Sequence, residues 1–455
     1  MDTIVALSTP IGRSGVAVIR ISGAEAHAQL DRIFVRSSSA SASSISTNNT
    51  SDRATNNTSD VSVCDTSVNK REHRLMSYGK VVCKEFYDNV LAVKFFSPHS
   101  YTGEHTAEIH CHGSPVIYGG IVAELIHNGC RMAERGEFTQ RALLNNKLDL
   151  LQAEGINDVI HADTVAQVVQ SNTLVDGMLS LKVAELETTL LNCVASIEVA
   201  LDYPEEDLEL ETQAQLKARL STVLGVVDAM LADYNHSRLI RDGVKVVLVG
   251  VPNAGKSSLL NAMLGYERAI VDSTAGTTRD VVQDSYVYDN IKFILSDTAG
   301  LRDTEDRIEH QGVQRAMVQV EDADVLICLD QNFEKDARAI LVDNKSDLRD
   351  TILHDDRLHI SAKTGYNIDK LKQQVYNKSI QKPQNTTAIN NLRQYNAMQQ
   401  ARTSIALALS ELYNTTLDCI AIDVRHAWES IKSLTGQAMT DDILATIFSQ
   451  FCVGK

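Results

Sequence analysis

The chain has 455 residues, enough for about three domains, and is 44% apolar, enough to fill ordinary cores. Its net charge of −16 excludes broad nucleic-acid binding through phosphate neutralisation, so any RNA contact must be local or come from another subunit. No stretch approaches the roughly 18 apolar residues of a membrane span, and the eight cysteines, scattered without a C-x-x-C pair, argue against a disulfide framework or structural zinc.

Met1 leads almost directly into a strand-like run, residues 3–7, with neither an apolar signal region nor an Arg-rich leader, so the expected compartment is the cytoplasm. Residues 1–145 read as a mixed α/β domain, with strand patterns at 16–21, 90–96 and 107–112 and a helix at 24–34. Residues 37–69 are rich in Ser, Asn and Thr and cannot bury enough to offset their ordering entropy, which predicts a disordered insertion. His110-Cys111-His112 has metal-ligating residue types. On an alternating strand, however, Cys111 points away from both histidines, against a metal site.

From residue 146 the pattern turns helical, and residues 146–242 read as the first part of a helical domain. Leu179, Val183, Leu186, Leu190, Val194 and Ile197 step by three and four, one apolar stripe on a long helix. A break at Asp202-Tyr203-Pro204 precedes a second helical run to about residue 237. Residues 243–380 read as an inserted α/β domain. Residues 381–455 form the second helical part, where Leu417, Ile420, Val424, Trp428 and Ile431 restore helical spacing. The two helical blocks are expected to pack as one discontinuous bundle.

The inserted domain carries a guanine-nucleotide kit in order. Gly250-Val251-Pro252-Asn253-Ala254-Gly255-Lys256-Ser257, with Ser258, follows the apolar run 246–249 and fits the P-loop. Its backbone N–H groups would cradle phosphates at a helix N-terminus, Lys256 would reach the β/γ-phosphates, and Ser257 would bind Mg²⁺. Asp272-Ser273-Thr274-Ala275-Gly276-Thr277-Thr278 suits a switch loop, with Thr278 completing the Mg²⁺ shell. Asp297-Thr298-Ala299-Gly300 ends a strand at 291–295, placing a carboxylate near the metal and an amide near the γ-phosphate. Asn344-Lys345-Ser346-Asp347 ends another, where Asp347 accepts two hydrogen bonds from the guanine edge, and Ser361-Ala362-Lys363 backs the base.

One position departs from the small signalling GTPases. Where they carry a water-orienting glutamine after Asp-Thr-Ala-Gly, this chain has Leu301, so hydrolysis must recruit another polar group and another positive charge. Asn253 can offer a carbonyl to a monovalent cation; the rival reading is a turn residue. Glu309 stands where it can hold water; on the residue alone, a solvated helix charge is the default.

The flanks resemble the bacterial tRNA-modifying GTPases of the MnmE/TrmE family over nearly the whole chain. The runs that carry the resemblance are Asp2-Thr3-Ile4-Val5-Ala6, Val18-Ile19-Arg20-Ile21-Ser22-Gly23, Tyr101-Thr102-Gly103-Glu104, Gly136-Glu137-Phe138, Asn146-Lys147-Leu148-Asp149 and the ending Phe451-Cys452-Val453-Gly454-Lys455. Departures are the polar insertion, Glu134-Arg135 where a proline is usual, and the segment 331–338. The resemblance implies an N-terminal tetrahydrofolate-binding and dimerisation domain, a helical domain, and a Ras-like P-loop G domain inserted in it. It implies a homodimer that forms a heterotetramer with MnmG, an FAD-containing partner through which most tRNA contact is made. The pair would install a carboxymethylaminomethyl or aminomethyl group at C5 of the wobble uridine, the carbon coming from 5,10-methylene-tetrahydrofolate, with 5-formyl-tetrahydrofolate as a stable analogue.

Carried over by motif, Arg20, Glu108, Lys147 and Lys455 would line the folate site. Potassium would be held by Asn253 with Asp272, Thr274 and Thr277, and Glu309 would position water. Cys452 is a candidate nucleophile on the uridine ring, against an inert thiol with no adjacent base. The rival functions are a ribosome-assembly GTPase, for which a basic RNA domain or second G domain is missing, and a regulatory scaffold, which has no use for the four folate residues.

Overall fold

A computed structural model describes residues 2–37, 73–202, 206–265, 284–297, 318–330, 336–348, 357–380, 389–437, 439, 441–449 and 451–454. Contacts divide the chain into two compact units, Met1–Ala153 with Met439–Lys455, and Glu154–Ala438.

The first unit is built on a seven-stranded sheet. Its elements are β1 (Ile4–Leu7), β2 (Ser14–Ser22), α1 (Ala26–Ile33), β3 (Phe34–Arg36), β4 (Ser77–Val82), β5 (Tyr87–Phe95), β6 (Thr106–Gly113), α2 (Pro115–His127), β7 (Arg131–Met132) and α3 (Glu137–Leu144). The strand order is β3-β4-β5-β6-β2-β1-β7, antiparallel except for β1 against β7. Ile19, Ile21, Ile109, Leu30, Ile121 and Leu125 form one core between the sheet and helices α1 and α2. Alternation sends the neighbours to the other face: Arg20 lies opposite Glu108 across the β2–β6 pair, and Cys111 is buried in the core, facing away from His110 and His112. Strand β4 and helix α2 fall outside the elements expected from the sequence. The insertion at 38–69 lies outside the described residues.

The second unit takes up the chain within α4 (Leu150–Ile160), followed by α5 (Val165–Val175), α6 (Met178–Asp202), α7 (Glu206–Ala232) and α8 (Tyr234–Asp242). Helix α5 opens with a capping box in which Thr164 and Gln167 satisfy each other's backbone N–H groups. The stripe from Leu179 to Ile197 is buried along α6.

The inserted domain follows: β8 (Val244–Val249), α9 (Lys256–Leu264), β9 (Asp284–Tyr288), β10 (Ile291–Asp297), β11 (Val325–Cys328), β12 (Ala339–Asp343), β13 (Leu358–His359) and α10 (Ile368–Ser379). The sheet order is β13-β12-β11-β8-β10-β9, parallel except for the edge strand β9. The segment that departs from the family pattern ends in Arg338. Its guanidinium pairs with Asp336 and donates to the carbonyls of Val320, Glu321 and Ala323.

After the insertion come α11 (Leu392–Glu411) and α12 (Leu417–Leu434), which pack with α6 and α7 as one four-helix bundle. The bundle is therefore discontinuous in sequence. Leu417, Ile420, Val424 and Ile431 are buried in it, whereas Trp428 is half-buried beneath the Lys432 ammonium, 4.8 Å from the ring centroid.

The last stretch of 381–455 also packs on elements of the first unit. Helix α13 (Asp441–Phe448) packs on α3, and Phe448 and Phe451 share a small core with Leu150 and Ala153, so contacts place Met439–Lys455 in the first unit. Gly136, in the left-handed region at φ 68°, makes this approach feasible, since a Cβ there would lie 2.8 Å from the Phe448 carbonyl.

Candidate functional site

In the inserted sheet β8 is the point from which the chain winds both ways, to β10 on one side and β11 on the other, where open α/β sheets place their ligand crevice. The P-loop sits there. Asn253 and Gly255 take left-handed conformations, φ 64° and 92°, turning the loop so that α9 starts at Lys256. A Cβ on Gly255 would stand 2.5 Å from Asn344 Nδ2, so the loop and the Asn-Lys-Ser-Asp motif approach as closely as glycine allows. Asn344 Nδ2 donates to the Ala254 carbonyl at 3.3 Å, and Lys345 Nζ to the Asn253 carbonyl at 2.9 Å. These bonds lock the phosphate loop to the base loop from behind.

Lys256 is buried, its ammonium donating to the carbonyls of Gly250 and Val251 at 2.9 and 3.1 Å. Ser257 Oγ donates to Asp297 Oδ2 at 2.7 Å, so two oxygen ligands suited to a hard divalent cation stand together at the strand end. Ser361 Oγ donates to Asp347 Oδ1 at 2.7 Å, and Asn344 Oδ1 accepts the N–H of Ala362 at 3.1 Å. The carboxylate is thereby aimed rather than free to rotate. Asp272 to Thr278, Thr298 to Leu301 and Glu309 lie outside the described residues, as does Lys455.

The first unit gathers a second group. Arg20 Nε and its terminal nitrogen both reach Glu108 Oε1 at 2.9 Å, with the guanidinium over the rings of Tyr101 (5.2 Å) and Phe138 (5.8 Å). His110 Nε2 lies 3.6 Å from Glu108 Oε2, within ion-pair range but too far for a hydrogen bond. Burial pushes the Glu108 carboxyl up, and His110 and Arg20 more than offset it, leaving its pKa below the ordinary value. Lys147 runs its stem past Gly103, in the loop that supplies Tyr101, while Asn145 Nδ2 donates to the Thr102 carbonyl at 2.7 Å. The C-terminal tail passes nearby: Ser8 Oγ donates to the Gly454 carbonyl at 3.0 Å, and Cys452 is exposed, its carbonyl accepting the Gly136 N–H at 3.3 Å. The structure thus brings Arg20, Glu108 and Lys147 to one loop and strand pair.

Sequence reasoning missed the ion network beside this group. Buried Arg141 donates to the Asp2 carboxylate and carbonyl (both 2.7 Å), to Glu104 Oε2 (3.1 Å) and to Glu137 Oε1 (2.9 Å), while Arg131 binds Asp2 and Glu137 from the other side. Its acids all fall inside the runs that carry the family resemblance, a signal left unread.

The left-handed P-loop bound to a base-reading motif, with an oxygen pair at the strand end, defines a P-loop GTP-binding protein. Two family models between them span nearly the whole chain: one for the MnmE helical domain over residues 150–452, and one for the GTP-binding protein TrmE N-terminus over residues 3–147. The tRNA modification GTPase MnmE of Chlorobaculum tepidum is 33% identical, covering 99% of this chain and 97% of that one. Its counterpart in Caldicellulosiruptor saccharolyticus is 36% identical, covering 100% and 99%. The chain belongs to the MnmE (TrmE) family of tRNA modification GTPases. A solved G domain of the T. maritima FeoB iron transporter matches at 21% identity over 30% of this chain and 98% of that one; its TM-score, 0.22, adds nothing to the fold described above.

Proposed function

We propose that this chain is a potassium-activated GTPase that, with an FAD-containing partner of the MnmG type, adds an aminomethyl-type group to C5 of the wobble uridine of certain tRNAs. One observation carries the reading: the likeness to tRNA modification GTPases runs across the whole chain, including the N-terminal domain that a signalling G protein would not need.

In this reading Lys256 leaves the Gly250 and Val251 carbonyls for the phosphates of GTP, and Ser257 and Asp297 hold Mg²⁺ on their paired oxygens. Asp347, aimed by Ser361, selects guanine. Asn253 presents its side-chain carbonyl to K⁺, whose charge supplies transition-state stabilisation that an arginine gives elsewhere. Glu309 positions water where Leu301 cannot.

The folate group fits on its chemistry. An ionised Glu108, held by Arg20, suits the N–H edge of a pterin ring, Tyr101 and Phe138 supply aromatic faces, and the Lys147 ammonium suits a carboxylate. The one-carbon unit of a bound methylene-tetrahydrofolate supplies the new carbon. Arg20, Glu108 and Lys147 orient the folate. The test is mass spectrometry of tRNA nucleosides from cells lacking the protein, where the C5-substituted wobble uridine should disappear. An unchanged nucleoside profile refutes the proposal.

A further inference from the structure

The chain enters the G domain at the end of α8 and leaves it before α11, and both crossings grip the same face of α4. Glu154 and Asp158 stand one helical turn apart, the spacing that stacks side chains on one face, and their side chains are only 11% and 8% exposed. At the entry, Arg241 Nε donates to both Asp158 oxygens at 3.1 and 3.0 Å, and the Arg241 carbonyl accepts from Gln167 Nε2 at 2.9 Å. At the exit, Asn390 Nδ2 donates to Asp158 Oδ2 at 3.2 Å. Arg393 binds the two Glu154 oxygens at 2.7 and 2.9 Å, and Gln394 Nε2 adds a bond to Glu154 Oε2 at 2.7 Å. One carboxylate, Asp158, therefore touches both crossings.

Stability does not account for this joint. Apolar residues of similar size often hold a buried contact as well as an ion pair, or better. Burial pushes the Asp158 carboxyl up, and Arg241 and Asn390 do not bring it back to its ordinary value. What these contacts add is direction: Arg393 meets the two Glu154 oxygens with two parallel bonds, and Arg241 Nε is centred between both Asp158 oxygens, angles that apolar side chains leave soft. The joint is also incompletely satisfied. Asn390 Oδ1 and Asn157 Oδ1 are buried with no hydrogen-bond partner among the described residues, unmade bonds that a second arrangement can close.

We propose that Glu154 and Asp158 are positioning residues that couple the nucleotide state of the G domain to the helical segment. Arg241 lies just before β8 and is tied to α4, so a turn of the G domain about its entry pulls on α4, and Asn390 on the returning chain shares the same carboxylate. In sequence, α4 follows directly on the Asn146-Lys147-Leu148-Asp149 run. The consequence for tRNA rests on the function proposed above; the coupling itself does not.

Amide hydrogen exchange on the full-length protein, with GDP and then with a non-hydrolysable GTP analogue, tests it. In the wild type, exchange of the peptide covering residues 154–160 should differ between the two nucleotides. In Asp158→Asn the difference should shrink at least about threefold, the scale of a modest coupling, while nucleotide protection of the P-loop peptide stays intact. Asn390→Ala, which removes one hydrogen bond and leaves both ion pairs, should act in the same direction and decides the matter if Asp158→Asn does not fold. An equal nucleotide response in wild type and variants, or none in the wild type, overturns the coupling. In reconstituted modification, Asp158→Asn should give about tenfold fewer modified uridines per GTP hydrolysed. A parallel fall in hydrolysis and modification makes the joint a scaffold and overturns the proposal. A wild type that hydrolyses GTP but modifies no tRNA refutes the proposed function instead, and the exchange result still judges the coupling.

Discussion

Arg141→Met tests the ion network of the first unit in a way that can be worked from the structure. Arg141 is 4% exposed and serves three carboxylates. Asp2 is half-exposed, so its share is screened and small. Glu137 retains Arg131, and Glu104 retains, among the described residues, only the Ser22 hydroxyl at 2.8 Å, so the substitution strands one nearly buried charge. Breaking a buried pair costs about 3–5 kcal/mol, and the remaining partners put the figure near the lower end, about 3 kcal/mol. At about 2–4 °C per kcal/mol for a body of this size, the first unit should melt roughly 6–12 °C lower.

The pH dependence has a definite sign. Arg131 holds the Asp2 carboxyl down to about 2. For Glu137, burial pushes the pKa up, but Arg131, the Glu134 N–H and Arg141 outweigh it and leave it below the ordinary value. Depressed carboxyls stabilise the fold above the unfolded carboxylate range and lose that contribution as pH falls through their folded values. The gap between wild type and variant should therefore be full at neutral pH and narrow towards about pH 3. Differential scanning calorimetry at both pH values measures it. A shift under about 2 °C at neutral pH, or a gap that widens on acidification, refutes the reasoning.

Four further outcomes follow from the two sites. Asp347→Asn should lower GTP affinity about a hundredfold and favour xanthine nucleotides, read by fluorescent-nucleotide titration; unchanged GTP affinity removes Asp347 from base reading. Gly255→Ala should weaken nucleotide binding, because its Cβ meets Asn344 Nδ2 and its φ is strained; wild-type affinity in the same titration disproves the tight approach of the two loops. Arg20→Ala or Lys147→Ala should impair binding of 5-formyl-tetrahydrofolate in calorimetry while GTP turnover stays near normal, and intact folate affinity in both sinks the pocket. Turnover should be strongly stimulated by KCl over NaCl, lost in Asn253→Ala with nucleotide binding spared, whereas Glu309→Ala should keep the potassium response but hydrolyse slowly; equal rates in the two salts end the potassium mechanism.

Legibility in the sequence tracked how local the signal is. The P-loop, Asp297 and Asn344 to Asp347 are short runs at strand ends, so their places followed from pattern alone, and the long stripe on α6 announced its buried face. Cys111 could be turned away from its histidine neighbours because strand periodicity is strict. What stayed hidden depends on partners far apart in sequence. Arg141 meets Asp2, and Asp158 meets both Arg241 and Asn390, only after the chain has folded. Nothing in Phe448 or Phe451 alone says that their pocket is made by Leu150 and Ala153. Trp428 kept the helical spacing yet sits half-buried under Lys432, because an i,i+3/i+4 pattern marks a face without fixing how far in each residue lies.

The central claim joins a GTPase, a folate and a tRNA in one reaction. Its most direct measurement is the fate of isotopically labelled carbon: methylene-tetrahydrofolate labelled at the one-carbon unit, incubated with this protein, an MnmG-type partner, tRNA, potassium and GTP, followed by nucleoside mass spectrometry. The label should appear in the substituent at C5 of the wobble uridine, and should be lost when GTP is omitted or Arg20→Ala replaces the wild type. A C5-modified uridine that forms without the label would contradict that claim.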